Sequence, residues 1–271
     1  MVMKIMPGIR PKLGLTLNTY APPPPLKKNA GDELLRMSKC EVAAKTQKHF
    51  ALNHGVPTYE VAMSARGQRH SGWTAFNQSA ATGVDAFIHM DRVNSKSQGD
   101  FAGDKIHLSV APDHVAAAFN TIGKILQADD SPVDKWKVTD MSRLHPNMSP
   151  EQQRVCLGAQ FTIYAKPDNA DNTYSPEYMG KMRGMLLSIE HELRSAGVAQ
   201  SNNRPSSDIA PPHWQYASYR NENSSGRAGS SNQSNALEAE PFFQLTAFPD
   251  TSPTSASSNP SHRSLLPSPW E

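Results

Sequence analysis

Lys105-Ile106-His107-Leu108-Ser109-Val110 alternates strictly, with Ile106, Leu108 and Val110 on one side and Lys105, His107 and Ser109 on the other. That two-residue period marks a half-buried strand with one apolar face. Two other stretches repeat it. In residues 133–140 (VDKWKVTD), Trp136 and Val138 oppose Lys135, Lys137 and Thr139. In residues 159–166 (AQFTIYAK), Phe161, Ile163 and Ala165 oppose Gln160, Thr162, Tyr164 and Lys166. Strand residues two apart lie about 6.6–6.8 Å from each other on one face. If the three strands are neighbours, Lys105, His107, Lys135, Lys137, Tyr164 and Lys166 converge in one patch. It would hold four ammonium groups, an imidazole and a phenol, with no carboxylate among them. Like charges this close repel unless an anion joins them, and a phosphate-bearing ligand fits that need.

Helical periods surround these strands without regular strand–helix–strand alternation. Residues 41–52 read as a helix. After Pro112-Asp113, the spacing of Val115, Ala118, Phe119, Ile122, Ile125 and Leu126 predicts another. Ser175-Pro176-Glu177 starts a third, whose apolar face is Met179, Met182, Met185, Leu186, Ile189 and Leu193 and whose stop is Gly197. Methionines at that spacing read as core. The expected fold class is α+β: a single domain with a mixed or antiparallel sheet packed by helices.

That domain is expected over residues 32–249. Residues 1–31, which include Pro22-Pro23-Pro24-Pro25, read as a flexible arm, and residues 250–271, rich in Ser and Pro, as a disordered tail. Residues 221–235 (NENSSGRAGSSNQSN) read as a mobile loop. The 27 Lys and Arg nearly balance the 25 Asp and Glu, a net charge of +2, so nothing global argues for nucleic acid or an anionic membrane. No apolar run approaches the ~18 residues of a membrane span, and the opening residues lack a signal-peptide apolar core. The two cysteines, Cys40 and Cys156, stand too far apart for a CxxC pair, and no His or Cys spacing suggests a metal. His191-Glu192 has no second His four residues on; Cys156 has no following arginine for a C-x5-R cradle; no phosphate-binding glycine loop is present. Those absences count against common phosphatases.

Three arginines extend the cationic set: Arg154 before the third strand, Arg220 at the end of HWQYASYR, and Arg227 within Ser225-Gly226-Arg227-Ala228-Gly229. A guanidinium grips phosphate through a planar fork, at about 1.5–3 kcal/mol per charge-assisted bond. A plainer reading stands beside this one. Half-exposed strands always carry a polar face, edge lysines guard against aggregation, and surface arginines are usually just solvated. The residues alone leave an acid–base enzyme, a binding module and an ordinary polar face open.

Four separated motifs go further. Residues 99–110 (GDFAGDKIHLSV), 131–141 (SPVDKWKVTDM), 157–168 (LGAQFTIYAKPD) and 216–222 (YASYRNE) together resemble the bacterial type III effector phosphothreonine lyases, nearest to their plant-pathogen branch. The resemblance spans roughly residues 64–245. It implies β-elimination of phosphate from phosphothreonine in a pThr-x-pTyr activation loop of host MAP kinases. The product is dehydrobutyrine, which cannot be rephosphorylated, so host immune signalling would be suppressed irreversibly. On that resemblance Lys137 matches the general base and His107 the general acid. Lys105, Lys135, Arg154, Tyr164, Arg220 and Arg227 match positions that bind phosphate and hold the site together; Asp208 matches a supporting acid, and Lys166 a contact to the second phosphate. No metal and no cofactor is implied. The alternative of another class is a non-catalytic phosphopeptide-binding effector.

The arm acquires a reading too. Arg10 and Lys12 precede Leu13, Leu15 and Leu17, a basic cluster followed by spaced leucines, which resembles MAP kinase docking peptides. Residues 1–31 would also carry a secretion signal. The resemblance thus implies a monomer delivered by type III secretion into the host cytoplasm and nucleus. Its partners would be phosphorylated MAP kinases and a secretion chaperone, without nucleic acid or membrane. Two departures from the animal-pathogen relatives are visible: residues 142–152 are longer than those relatives need, and residues 250–271 have no counterpart in them.

Overall fold

Seven strands pair in the order β1-β2-β3-β5-β6-β4-β7, every pair antiparallel. They are β1 Arg66–His70, β2 Trp73–Asn77, β3 Phe87–Arg92, β4 Asp104–Leu108, β5 Lys135–Thr139, β6 Phe161–Tyr164 and β7 Ala217–Asn221. The helices are α1 Ala30–Lys45, α2 Tyr59–Met63, α3 Gln78–Thr82, α4 Val115–Leu126, α5 Pro150–Gln153, α6 Pro176–Ser195, α7 Ser231–Glu238 and α8 Pro241–Ala247. A single π-helical turn, Arg154–Gly158, follows α5. These are the elements of a computed structural model that describes residues 30–83 and 85–249. The tail at 250–271, and the arm with Arg10, Lys12, Leu13, Leu15 and Leu17, lie outside the described residues.

The three alternating stretches form β4, β5 and β6, and the sheet sets them side by side with β6 in the middle. Their apolar faces look one way. Ile106, Trp136 and Ile163 share one cross-strand row, Leu108, Val138 and Phe161 the next, and all six are wholly buried. α4 covers this face by setting the Phe119 ring 5.2 Å from that of Trp136, and α8 stacks Phe242 and Phe243 on Tyr219 of β7. α6 packs against α1, α4 and α8. Ser175 caps α6 by accepting from the Tyr178 N–H, and Gly197 past its end takes a φ of 66°, where a side chain would be strained.

Two buried carboxylates tie the sheet to its surroundings. Asp104 at the start of β4 accepts from Tyr219 Oη at 2.7 Å, Tyr174 Oη at 3.0 Å and Asn221 Nδ2 at 2.7 Å. Glu190 of α6 accepts the backbone N–H groups of Gln215, Tyr216 and Ala217 at 2.8–3.0 Å, fixing where β7 begins. Buried acids survive because every such donor lowers the cost of their burial.

Three expectations are corrected. The helix read over residues 41–52 is α1, which ends at Lys45. Residues 46–52 leave the helix without regular secondary structure, because Gly180 and Gly184 of α6 let them cross it closely: Gln47 N–H donates to Gly180 O, and a Cβ on either glycine would collide with the crossing backbone. β4 is not half-buried, since all five of its residues are buried. Lastly, residues 221–235 are not one loose loop: Asn221 closes β7 and Ser231 opens α7 under a Ser230 cap.

Candidate active site

Antiparallel register turns the polar face of the sheet into transverse rows. One row runs Asp91, Lys135, Tyr164, Lys105, Arg220. The next runs His89, Lys137, Thr162, His107, Ser218. Lys137 and His107 therefore sit in one row with a single strand between them, about 9–10 Å apart at their backbones. Thr162, small and buried, separates them.

A third row, Thr139, Gln160 and Ser109, is roofed. Thr139 Oγ1 donates to Val155 O at 2.6 Å, Gln160 Nε2 to Cys156 O at 3.0 Å, and Ser109 Oγ to Gly158 O. The roof is the π-helical turn, a rare conformation that occurs mostly at functional sites. Its first residue, Arg154, reaches to 3.5 Å from Asp208 Oδ1. Arg154 Nε and Nη2 are buried with no hydrogen-bond partner among the described residues. A buried donor left so costs about 1–3 kcal/mol, and an anion beside Asp208 would satisfy both.

The faces of the three strands supply no carboxylate among the residues named for them, but neighbouring segments bring several to the patch. The Asp208 side chain is wholly buried and takes His107 Nδ1 at 2.6 Å, Ser218 Oγ at 2.9 Å and Ser207 Oγ at 2.8 Å. Glu222 holds Lys105 at 3.1 Å and Asp91 holds Lys135 at 3.3 Å. Asp85 holds His89 at 3.1 Å. These anions let the cations share one face before any ligand arrives.

Burial sets the acidities. It pushes Lys137 down to about 8, with Lys105 and Lys135 adding to it and Asp85 and Glu222 opposing. Lys137 Nζ lies 3.5 Å from the centre of the Phe87 ring, which shields it from water. Burial also lowers Lys105, with Arg220 and Arg154 adding and Glu222 opposing. For His107 burial again dominates and lowers the pKa; Asp208 opposes, while Arg154 and Lys105 add. Burial would raise Asp208, but His107, Ser207 and Arg154 outweigh it and hold its carboxyl below the usual range. Asp208 is therefore the resident anion. His107 is left to donate through Nδ1 and to present Nε2 to a ligand. Burial raises Tyr164, so its phenol stays protonated as a donor.

The remaining expected residues fall around this centre. Arg220 is buried and donates from Nε and Nη2 to Ser225 at 3.1 and 3.0 Å. Arg227 is exposed on the turn that follows, near enough to Arg154 to depress it. Lys135 is half exposed at the rim. Lys166 lies past the end of β6, off the two rows, with its N–H on Tyr178 Oη.

Three contributors were missed. His89 and Phe87 flank Lys137 on β3, and the alternation Phe87, His89, Asp91 on that strand was the signal. Gln233 of α7 is the third. Its amide takes Gly226 N–H and donates to Gly226 O and Ser207 O, joining the strap that carries Arg227 to the loop that carries Asp208. Nothing local in the sequence marks that link.

With this geometry in place, the likenesses to known proteins can be read. The model of the OspF/SpvC family matches residues 7–247. A MAPK phosphothreonine lyase of Salmonella typhimurium is 44% identical over 200 residues, 73% of this chain and 78% of that protein. Phosphothreonine lyase OspF of Shigella flexneri is 40% identical over 197 residues, with the same shares covered. The solved structure of the Salmonella plasmid virulence C protein superposes with a TM-score of 0.73 at 37% identity, covering 83% of this chain and all of that one. The chain belongs to the OspF/SpvC family.

Proposed function

We propose that this chain is a phosphothreonine lyase that eliminates phosphate from the pThr of a pThr-x-pTyr loop in MAP kinases. The observation that carries the reading is the row that places a depressed lysine and a carboxylate-held histidine on either side of Thr162, next to the row that carries Lys135, Lys105 and Arg220. Support comes from relatives that bear the same activity in their names.

The phosphate of the substrate lies between Arg154, Lys105 and Arg220, with Arg227 closing from the strap and Tyr164 donating from below. Neutral Lys137 removes the α-proton of phosphothreonine. The electrons of that C–H bond form the Cα–Cβ double bond as the Cβ–O bond breaks. The departing phosphate oxygen takes its proton from His107 Nε2, and Asp208 stabilises the imidazolium while it exists. Dehydrobutyrine and inorganic phosphate result; Lys137 has gained one proton and His107 has lost one, and the pair returns to its starting form by exchanging it through solvent. The dianion itself prepares the acid: in the free protein burial keeps His107 neutral, and a bound phosphate supplies the partner charge that favours its protonation.

Around that centre the further assignments are these. Lys135 and Lys166 favour the second phosphate. The segment with Arg10, Lys12, Leu13, Leu15 and Leu17 docks on the kinase. The protein works as a monomer inside the host cell after type III secretion with the aid of a chaperone.

A pThr-x-pTyr peptide decides the reading. Many molecules of phosphate released per protein, with a product one water lighter than the threonine peptide, are expected. Stoichiometric binding without release indicates a phosphopeptide-binding module instead, and a plain threonine product a phosphatase; either overturns the lyase.

A further inference from the structure

Beyond the Lys137 row, at the end of β5 and β6 opposite Lys166, two neighbouring cavities open. The nearer has a volume of about 320 Å³ and is lined by Asp85, Ser142, Arg143, His145 and Gln152. The farther, about 620 Å³, is walled by Leu144, Pro146, Met148 and Leu157, with His145 shared between the two. Asp85 ties them to the chemistry, because it holds His89, the cross-strand neighbour of Lys137, and acts on the charge of Lys137 itself. The near cavity is polar and preformed: Arg143 is fixed by two bonds from its guanidinium to Ser79, and Ser142 by Asp140. The far one is apolar and uncovered, with Leu144 42% exposed.

We propose that these cavities form one subsite for the chain of the substrate N-terminal to its phosphothreonine, the polar cavity taking peptide groups and the apolar one a large hydrophobic side chain. The direction rests on the lyase reading. With the second phosphate two residues C-terminal and toward Lys166, the residues before phosphothreonine must leave past Lys137 at the opposite end of the strands. A chain running this way reaches the cavity beside Asp85 first and the apolar one after it, advancing about 3.3 Å per extended residue. A peptide main chain needs donors and acceptors along its path and gains affinity from one buried side chain, and this order of linings supplies both.

The test uses the Lys137→Ala protein, so that peptides bind without turnover, and fluorescence anisotropy. Two pThr-x-pTyr peptides are compared, one bare and one extended by five residues on its N-terminal side with leucine or phenylalanine four before the phosphothreonine. The extended peptide is expected to bind about tenfold tighter. Adding Leu144→Asp, an exposed substitution, should erase that gain and leave the bare peptide unchanged; Met148→Asp should act the same way. Equal affinity for both peptides overturns the subsite. So does a Leu144→Asp effect of the same size on both. Phosphate release from the bare peptide by the unmodified protein judges the lyase reading separately.

Discussion

At pH 7 a lysine with the ordinary pKa of 10.5 is neutral about once in three thousand, whereas Lys137 at about 8 is neutral about once in ten. On the proposed role of Lys137, burial thus supplies roughly a 300-fold larger share of the neutral base. His107 sits lower than Lys137, so the reactive form, neutral lysine with protonated histidine, is the minority arrangement of a pair that shares one proton. Activity against pH should fall above about 8, where that shared proton is lost. Asp85 raises Lys137, so Asp85→Asn should move this basic limb to lower pH, a shift read from kcat/KM profiles of the two proteins. Asp208→Asn removes the anion that steadies imidazolium and is expected to lower kcat about 10²–10⁴-fold, measured as phosphate release at saturating peptide. The residue types here were legible: Lys105, His107 and Lys137 stand out on alternating strands. Their acidities were not, because these depend first on burial, which only the assembled sheet and its roof supply, and then on Asp85, Asp208 and Glu222, which sit on loops and turns outside the three stretches.

Elements do the placing. Two loops, residues 199–208 and 222–230, meet over the edge of β4 and β7 and carry Asp208 and Arg227. Gly158 of the roof packs on the first so closely that a Cβ would overlap Asn203 O, and Gly229, at φ 73°, packs on Ser206 O. Gly158→Ala should therefore cost about 1–3 kcal/mol in denaturant unfolding and displace Asp208. Gln233→Ala lies outside the core and should leave unfolding nearly unchanged while raising KM. That increase should vanish in an Arg227→Ala background, because both act through the strap. At this scale the alternation of β4, β5 and β6 and the faces of α4 and α6 could be read directly, since one neighbour decides each face. The full burial of β4, the end of α1 at Lys45 and the order in residues 221–235 could not. Each depends on a distant partner: β7 and the 199–208 loop for β4, the α6 glycines for residues 46–52, and Gln233 for the strap.

Across the molecule, a net charge of +2 conceals a site where lysines and arginines outnumber the acids that hold them apart. Only the fold, by bringing β4, β5, β6 and β7 edge to edge, turns an average composition into a phosphate-binding face. On the proposed docking role, the arm would act at this scale as a tether. Removing residues 1–25 should raise KM for a whole phosphorylated MAP kinase about tenfold or more while leaving the pThr-x-pTyr peptide unaffected, as steady-state kinetics on both substrates would show. Everything proposed for the row of Lys137 and His107 comes down to the fate of one hydrogen. A pThr-x-pTyr peptide deuterated at Cα of its phosphothreonine, treated with the protein and weighed by mass spectrometry, reports it. Elimination demands a dehydrobutyrine product that has lost the deuterium; a threonine product that keeps it would contradict the assignment of Lys137 as base and the lyase reaction with it.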